Sequence, residues 1–331
     1  MKAYRLRGTG SDRTLVLEDR SAPLPKPGYV RVRVRAASFN YRDLLVLDGG
    51  YARNDLDDVV PLSDGAGEIS ALGDGVSGWN VGDRVVINFM AHWSGGPIDD
   101  RALNSSLGGG VDGVLAEEVC VPAHALVALP DGLGFAEAAS LPCAAVTAWH
   151  GLRRCGVKAG DKVLLLGTGG VSVFALQFAK AMGAEVTITS SSEEKLAMMK
   201  ELGADHVVNY RTHPEWDEVV RELTGGVDAV VETGGSGTLA RSMAACRPGG
   251  QIALIGVLTS DTPDVTPILL NALTVHGIYV GSTEMLREVV EAVHVNRIEP
   301  VIDRRFAFSD AEAAYVYLRS GQHVGKVVIE V

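Results

Sequence analysis

The sequence predicts an α/β protein: a doubly wound parallel sheet in the second half of the chain, joined to a β-rich part. Three observations carry that reading. Roughly the first 125 residues read as short strands between Gly-rich turns. From about residue 135, apolar runs of strand length alternate strictly with helix-period segments, the pattern of a parallel sheet covered on both faces. The first of those runs ends in a glycine turn that opens a helix.

Taken in order, VRVRVRAASF (30–39) alternates as a half-buried strand does. Segment 67–89 packs short strands between glycines, and 116–130 reads as two more. Between them, 91–114 is a long polar, Gly-rich loop, which at this length points to function or mobility. Helix pattern runs over 135–155, with a break at Pro142. Strands at 162–167, 185–190, 206–210, 229–233 and 251–257 then alternate with helices near 171–182, 193–202, 215–224 and 238–246. TVHGIYVGS (274–282) gives a sixth strand; a helix near 283–295 and a β-containing tail (306–331) close the chain.

Apolar residues make up 47% of the 331, enough for a sizeable core. The net charge of −11 is scattered, which argues against a general nucleic-acid binder and against an anionic membrane surface. MKAYRLRGTG has no apolar core of a signal peptide, and no apolar run approaches the roughly 20 residues of a membrane span. Cysteines 120, 143, 155 and 246 form no C-x-x-C pair, so neither a disulfide framework nor a zinc knuckle is expected. These features predict a reduced, soluble, cytoplasmic protein.

The turn Gly167-Thr168-Gly169-Gly170-Val171-Ser172 follows a strand and opens a helix, the setting of a dinucleotide site. Gly167 permits the tight turn, Gly169 admits a pyrophosphate, and Ser172 is small enough for close helix–sheet packing. An NAD site puts Asp or Glu about 20 residues on, to bind the ribose 2′-hydroxyl. Here that place reads Thr189-Ser190-Ser191-Ser192. Hydroxyls of Ser190 and Ser191, the cation of Lys195, and Tyr210 and Arg211 at the third strand's end suit a 2′-phosphate, hence NADP(H). The same serines fit a second reading, in which Ser191 caps the next helix and Glu194 completes a capping box. Glu193 and Glu194 would serve NAD if the turn is shorter.

NYRDL (40–44), VPLSDGAGEI (60–69), VGDRVV (81–86), LPCAAVTAWHGL (141–152), GTGGVS (167–172), LGADHVVNYR (202–211), VDAVVETGG (227–235) and GGQIALIGV (249–257) resemble, in this order and spacing, the medium-chain dehydrogenase/reductase superfamily. The resemblance covers essentially the whole chain. It implies a GroES-like catalytic domain, 1–123 with 282–331, around a Rossmann dinucleotide-binding domain, 124–281. Zinc-dependent members bind catalytic zinc through a Cys, the His of a GHE motif and a third residue. Here Asn40 stands at the first position, and LSDGAG places Ser63 and Asp64 where GHE has His and Glu. Cys143 alone matches a ligand type, and one thiolate does not make a three-ligand site. The chain is therefore similar to the zinc-free quinone oxidoreductases and enone reductases.

That resemblance implies hydride transfer from NADPH to an activated alkene or a quinone, with Asn40, Tyr51 and Thr147 beside nicotinamide and substrate. Some quinone oxidoreductases carry a Tyr where this chain has Leu45, which leaves the proton donor open. The resemblance also implies cofactor contacts from Thr233, Gly234, Gly256, Val257, Gly281 and Lys326, and a homodimer paired through 273–281. From the residues alone, Asn40 also reads as a turn or helix cap and Asp43 as a first-turn helix acid. Asp64 reads as a hydrogen-bonding residue of the cleft or a partner for Arg42, His92 and Trp93 as pocket lining or loop surface, and Lys326 as an exposed strand charge. Segments 45–60, 90–112 and 258–285 are expected to shape the substrate pocket. Two other functions stay open: an NAD(P)-dependent alcohol dehydrogenase or aldehyde–ketone reductase, and a non-catalytic NADPH-binding sensor.

Overall fold

A computed structural model of the chain describes residues 1–51, 58–259 and 261–331. Residues 52–57 and 260, within the segments expected to shape the pocket, lie outside the described residues. The chain divides into two compact units, Met1–Val146 with Val280–Val331, and Thr147–Tyr279. The changeovers therefore fall at 146/147 and 279/280 rather than at 123/124 and 281/282. Residues 124–146 go with the first unit for a physical reason. Strand Leu126–Ala128 pairs antiparallel with Arg84–Ile87, and helix Phe135–Ala139 packs on strands Tyr29–Ser38 and Asp64–Leu72.

In the first unit, Tyr29–Ser38 is the hub of a mixed sheet. It pairs antiparallel with Asp64–Leu72, with Glu118–Pro122 and with the C-terminal strand Lys326–Glu330. Val30, Val32 and Val34 alternate inward, as the sequence pattern predicts, and Leu62, Ile69 and Ile87 join them in the core. Sequence reasoning missed the hairpin Lys2–Arg7 with Thr14–Asp19, whose outer strand is half exposed and lacks a clean apolar alternation. The 91–114 loop holds a short helix, Asp100–Leu103, and is less superficial than expected. Trp93 is buried, with its indole N–H donating to the Gly96 carbonyl.

The predicted break at Pro142 is present. Helix Phe135–Ala139 runs into a wide π-type turn, Leu141–Ala145, before helix Val146–Arg154 resumes. The second unit then builds one wholly parallel sheet. Its strands, in spatial order, are His206–Asn209, Glu185–Ser190, Lys162–Leu166, Val227–Glu232, Cys246–Leu254 and Thr274–Gly277. In chain order this is 3-2-1-4-5-6, the doubly wound dinucleotide-binding arrangement. Val163, Leu164, Leu165, Val230 and Ile252 are fully buried, as strands covered on both faces require. The sixth strand stops at Gly277, short of the expected 282. Among the described residues, no helix is long and apolar enough to cross a membrane.

Candidate active site

In a parallel sheet all carboxyl ends lie along one edge, and ligands bind outside that edge where the strand order reverses. Here the reversal falls at Lys162–Leu166, whose two neighbours are the second and fourth strands. The loops leaving these ends carry most of the residues singled out for the cofactor. Gly167 has φ +74, a conformation that favours glycine. Gly169 precedes helix Gly170–Ala181 with ordinary backbone angles, and a Cβ added there would meet nothing within 4 Å. The space beside it is open, and the first N–H groups of the helix, from Gly170, Val171 and Ser172, have no carbonyl within the helix to bind. Two hydroxyls fix the turn from below: Ser172 and Thr233 both donate to the Leu166 carbonyl, at 2.6 and 2.7 Å. Thr168 is buried beside Gly169.

The second strand ends at Ser190, which is buried, with Ser191 half-buried beyond it. Ser192, not Ser191, caps helix Glu193–Glu201, accepting from the Lys195 N–H at 3.3 Å. The cap thus sits one residue later than expected and puts Lys195 at its third helical position, so Glu194 completes no capping box. Ser190 supports the cap through the Ser192 N–H at 3.4 Å. Tyr210 is exposed at the third strand's end, tied by its N–H to the Ser190 carbonyl at 3.1 Å. Glu193 accepts from the Asn209 side-chain amide.

The loops after the fourth and fifth strands form one laced unit around a residue that sequence reasoning missed. Glu232 is completely buried. One carboxylate oxygen accepts the N–H groups of Gly234 and Gly235 at 2.8 and 3.0 Å and the Thr238 hydroxyl at 2.7 Å; the other accepts Ser242 Oγ. Gly256 packs so tightly there that a Cβ would come within 2.2 Å of the Thr233 carbonyl carbon. Thr259 closes the loop, accepting from Gly237 N–H at 2.7 Å and, through its carbonyl, from Ser236 Oγ at 2.9 Å. Val257 stands 70% exposed on this rim.

Thr147 is buried at the start of this unit, on helix Val146–Arg154. Gly281 belongs to the other unit. A Cβ there would lie 2.4 Å from Val146 and 2.8 Å from Met285, and its carbonyl faces the Asn88 amide at 3.4 Å.

In the first unit, Asn40 caps helix Tyr41–Leu47 and is buried. Its backbone N–H donates to Asp43 Oδ2 at 2.7 Å, so the capping reading of both residues holds. Its side chain does something further. Lys326, neither an exposed strand charge nor open to solvent, is 2% exposed and sets its ammonium 2.5 Å from Asn40 Oδ1 and 2.5 Å from the Phe39 carbonyl. Asn40 Nδ2 is buried, with no hydrogen-bond partner among the described residues. Asp64 does not pair with Arg42. Its carboxylate accepts the Ser63 hydroxyl and, at 3.0 Å, the Cys143 N–H. Arg42 instead donates to the Leu107 carbonyl at 2.6 Å and lies under the Tyr51 ring, 4.5 Å from its centre, with Phe89 5.0 Å away.

Burial pushes the Asp43 carboxyl up to about 6, against the pull of Arg42 and the Asn40 N–H. Burial and the Asp64 carboxylate push the Cys143 thiol well above its ordinary range, so it is held as the neutral thiol. Tyr315, edge-on to Phe39 at 5.0 Å, completes the surroundings, its hydroxyl raised by burial and by Asp43.

Comparison with known proteins supplies the family. The family described as "Alcohol dehydrogenase GroES-like domain" matches residues 26–131, and that described as "Zinc-binding dehydrogenase" matches residues 170–294. A zinc-type alcohol dehydrogenase-like protein of Schizosaccharomyces pombe is 46% identical over 316 residues, covering 92% of this chain and 91% of the relative. The chain belongs to the medium-chain dehydrogenase/reductase superfamily. Among solved structures of this superfamily, an NAD-dependent alcohol dehydrogenase is 35% identical with a TM-score of 0.90, each chain covered in full. The quinone oxidoreductase of Coxiella burnetii is 27% identical with a TM-score of 0.82, covering 100% of this chain and 99% of its own. The protein is thus an oxidoreductase with a GroES-like unit and a Rossmann-like unit, and its family implies a nicotinamide cofactor.

Glu232 and Thr259 had a weak signal in sequence. An acid ending an apolar strand just before Thr-Gly-Gly is out of place unless the loop's N–H groups meet it. Nothing in the sequence joins Lys326 to Asn40, 286 residues away.

Proposed function

We propose that this member of the superfamily transfers hydride from NADPH to an activated alkene (an enone or enal) or a quinone, without a metal. The observation that carries the reading is the set of groups at the positions where zinc-dependent relatives hold their metal. Asn40 offers an amide already bound to a lysine ammonium. Ser63 and Asp64 bind each other, Asp64 also holds the Cys143 N–H, and Cys143 is the one thiol at these positions. A divalent cation there would face the Lys326 ammonium and find one cysteine and no imidazole, short of a three-ligand zinc site. Those residues do not fit zinc, and no step of the reaction is routed through one.

The nucleotide, in contrast, fits. The open space at Gly169 and the start of helix Gly170–Ala181 suit a pyrophosphate. Ser190, Ser191, Lys195 and Tyr210 stand at and just beyond the ends of the second and third strands, a set of groups suited to a 2′-phosphate, and no carboxylate ends the second strand. Thr233, Gly234, Gly256 and Val257 form the rim on the other side of the reversal, held by Glu232. When bound, reduced nicotinamide supplies the hydride. An enone or quinone is already electrophilic, so the protein needs only to orient it and to donate hydrogen bonds to the oxygen that gains charge. Asn40 Nδ2 and the Tyr51 hydroxyl are donors for that oxygen, Thr147 lies in the segment beside the nicotinamide in relatives, and water delivers the proton.

One observation favours a second reading. Glu193, held by Asn209 between the second and third strand ends, would suit a ribose 2′-hydroxyl, and the relatives named above include an NAD-dependent alcohol dehydrogenase. That reading is an NAD-linked alcohol–aldehyde oxidoreductase. We also propose a homodimer. Thr274–Gly277 is an edge strand, and Val265, Leu269 and Leu270 just before it are 60%, 81% and 75% exposed. The deciding experiment follows oxidation of NADPH and of NADH with matched panels of enones, quinones, aldehydes and ketones. Turnover of enones or quinones with NADPH supports the proposal; turnover of aldehydes alone, with NADH, overturns it.

A further inference from the structure

We propose that Lys326 is a positioning residue that fixes which way the Asn40 side-chain amide faces. The inference rests on the reading above, in which Asn40 donates to the substrate oxygen. An ammonium can only donate, so the atom 2.5 Å from Lys326 Nζ is the amide oxygen, and Nδ2 must face the other way. Without such a partner the two ends of an Asn amide are close to interchangeable in shape.

The ammonium is itself held rigidly. Its second bond goes to the carbonyl of Phe39, the residue before Asn40. The strand that carries it pairs antiparallel with Tyr29–Ser38, and the Phe39 N–H and Ser38 Oγ both donate to the Val327 carbonyl, at 3.0 and 3.2 Å. The hub strand of the first unit's sheet and the last strand of the chain therefore meet at this pair. From below, Asp43 fixes the Asn40 backbone N–H. Both ends of Asn40 are tied, and its Nδ2, a buried donor, meets no acceptor among the described residues. A buried donor without an acceptor is costly, and a substrate oxygen is the acceptor this site lacks. Lys326 acts through Asn40, setting a donor toward the oxygen that gains charge during hydride transfer.

The test compares Lys326→Met, Lys326→Arg, Asn40→Ala and the Asn40→Ala/Lys326→Met double variant in the full chain. Three readouts are taken: kcat with the best acceptor of the panel, Kd for NADPH by fluorescence, and the side-chain amide signals of protein labelled with 15N-asparagine. Expected is a fall in kcat of about 10- to 100-fold in Lys326→Met and in Asn40→Ala, with no further fall in the double variant, and a change in Kd that is smaller than the change in kcat. The Asn40 amide pair, assigned by its loss in Asn40→Ala, should be single in the parent, displaced or doubled in Lys326→Met, and restored in Lys326→Arg. Losses that multiply in the double variant, a loss confined to NADPH binding, or an amide pair indifferent to Lys326→Met would overturn the proposal. If no acceptor is turned over, the functional reading fails, and the amide signals still decide the positioning role. If Lys326→Met does not fold, Lys326→Arg decides it: loss of the amide pair's position there counts against the proposal.

Discussion

The carboxylate of Asp64 accepts the backbone N–H of Cys143 at 3.0 Å while its other oxygen takes the Ser63 hydroxyl. A side chain aligned with a metal-site residue of zinc-dependent relatives thus works here as an internal tie. It joins strand Asp64–Leu72 to the π-type turn Leu141–Ala145, both within the first unit. Removing the carboxylate leaves a part-buried N–H and a buried hydroxyl without their acceptor. Asp64→Ala should therefore cost about 2–4 kcal/mol in urea unfolding, and Asp64→Asn clearly less. Equal stability of parent and Asp64→Ala would contradict the tie.

Asp43 makes stability depend on pH in a definite direction. Its carboxyl is raised from an unfolded value of 3.8 to about 6 by burial, so the folded chain binds that proton more tightly than the unfolded chain. The stabilisation from this group is complete below about 3.8 and is lost as pH rises through about 6. Asp43→Asn keeps an acceptor for the Asn40 N–H and removes the titration. The stability of Asp43→Asn relative to the parent should grow between pH 4 and pH 7.5, by up to about 3 kcal/mol. Paired melts at the two pH values measure it; a gap that narrows with rising pH goes against the account.

Two glycines separate a ligand-binding role from a folding one. At Gly169 a Cβ meets nothing and the backbone is ordinary, so Gly169→Ala should leave the free protein within about 0.5 kcal/mol of the parent. It should nevertheless weaken nucleotide binding by roughly tenfold or more, because the methyl takes the place of a phosphate oxygen. At Gly256 the Cβ would run into the Thr233 backbone, so Gly256→Ala should destabilise the chain by about 2 kcal/mol or more even without nucleotide. Calorimetric melts with and without NADPH distinguish the two patterns.

Cofactor choice is assigned to the end of the second strand. Ser190→Asp combined with Lys195→Ala puts a carboxylate where a ribose 2′-hydroxyl would bind and removes a cation suited to a 2′-phosphate. The ratio of kcat/KM for NADPH over NADH should fall by about tenfold or more. An unchanged ratio would move the specificity determinant elsewhere, with Glu193 the first residue to test.

How much of this was legible in the chain depends on the range of the interaction. The parallel sheet and its glycine turn were readable because apolar runs of strand length and the φ-positive Gly167 are local signals. Pro142 announced its break for the same reason. The cap at Ser192 was misread as Ser191 because three consecutive serines are equivalent until a backbone fixes which one precedes the first turn. Glu232 needed the loop geometry that turns two glycine N–H groups onto one carboxylate. The bonds of Lys326 to Phe39 and Asn40 were not readable because those residues lie at the other end of the chain and are brought to it only by strand pairing.

The most direct test measures metal content and turnover on the same sample. The purified protein should reduce an enone or a quinone with NADPH while holding less than about one zinc per ten chains, and prolonged treatment with a chelator should leave kcat unchanged. Stoichiometric zinc whose removal abolishes turnover, and whose return restores it, would contradict the account.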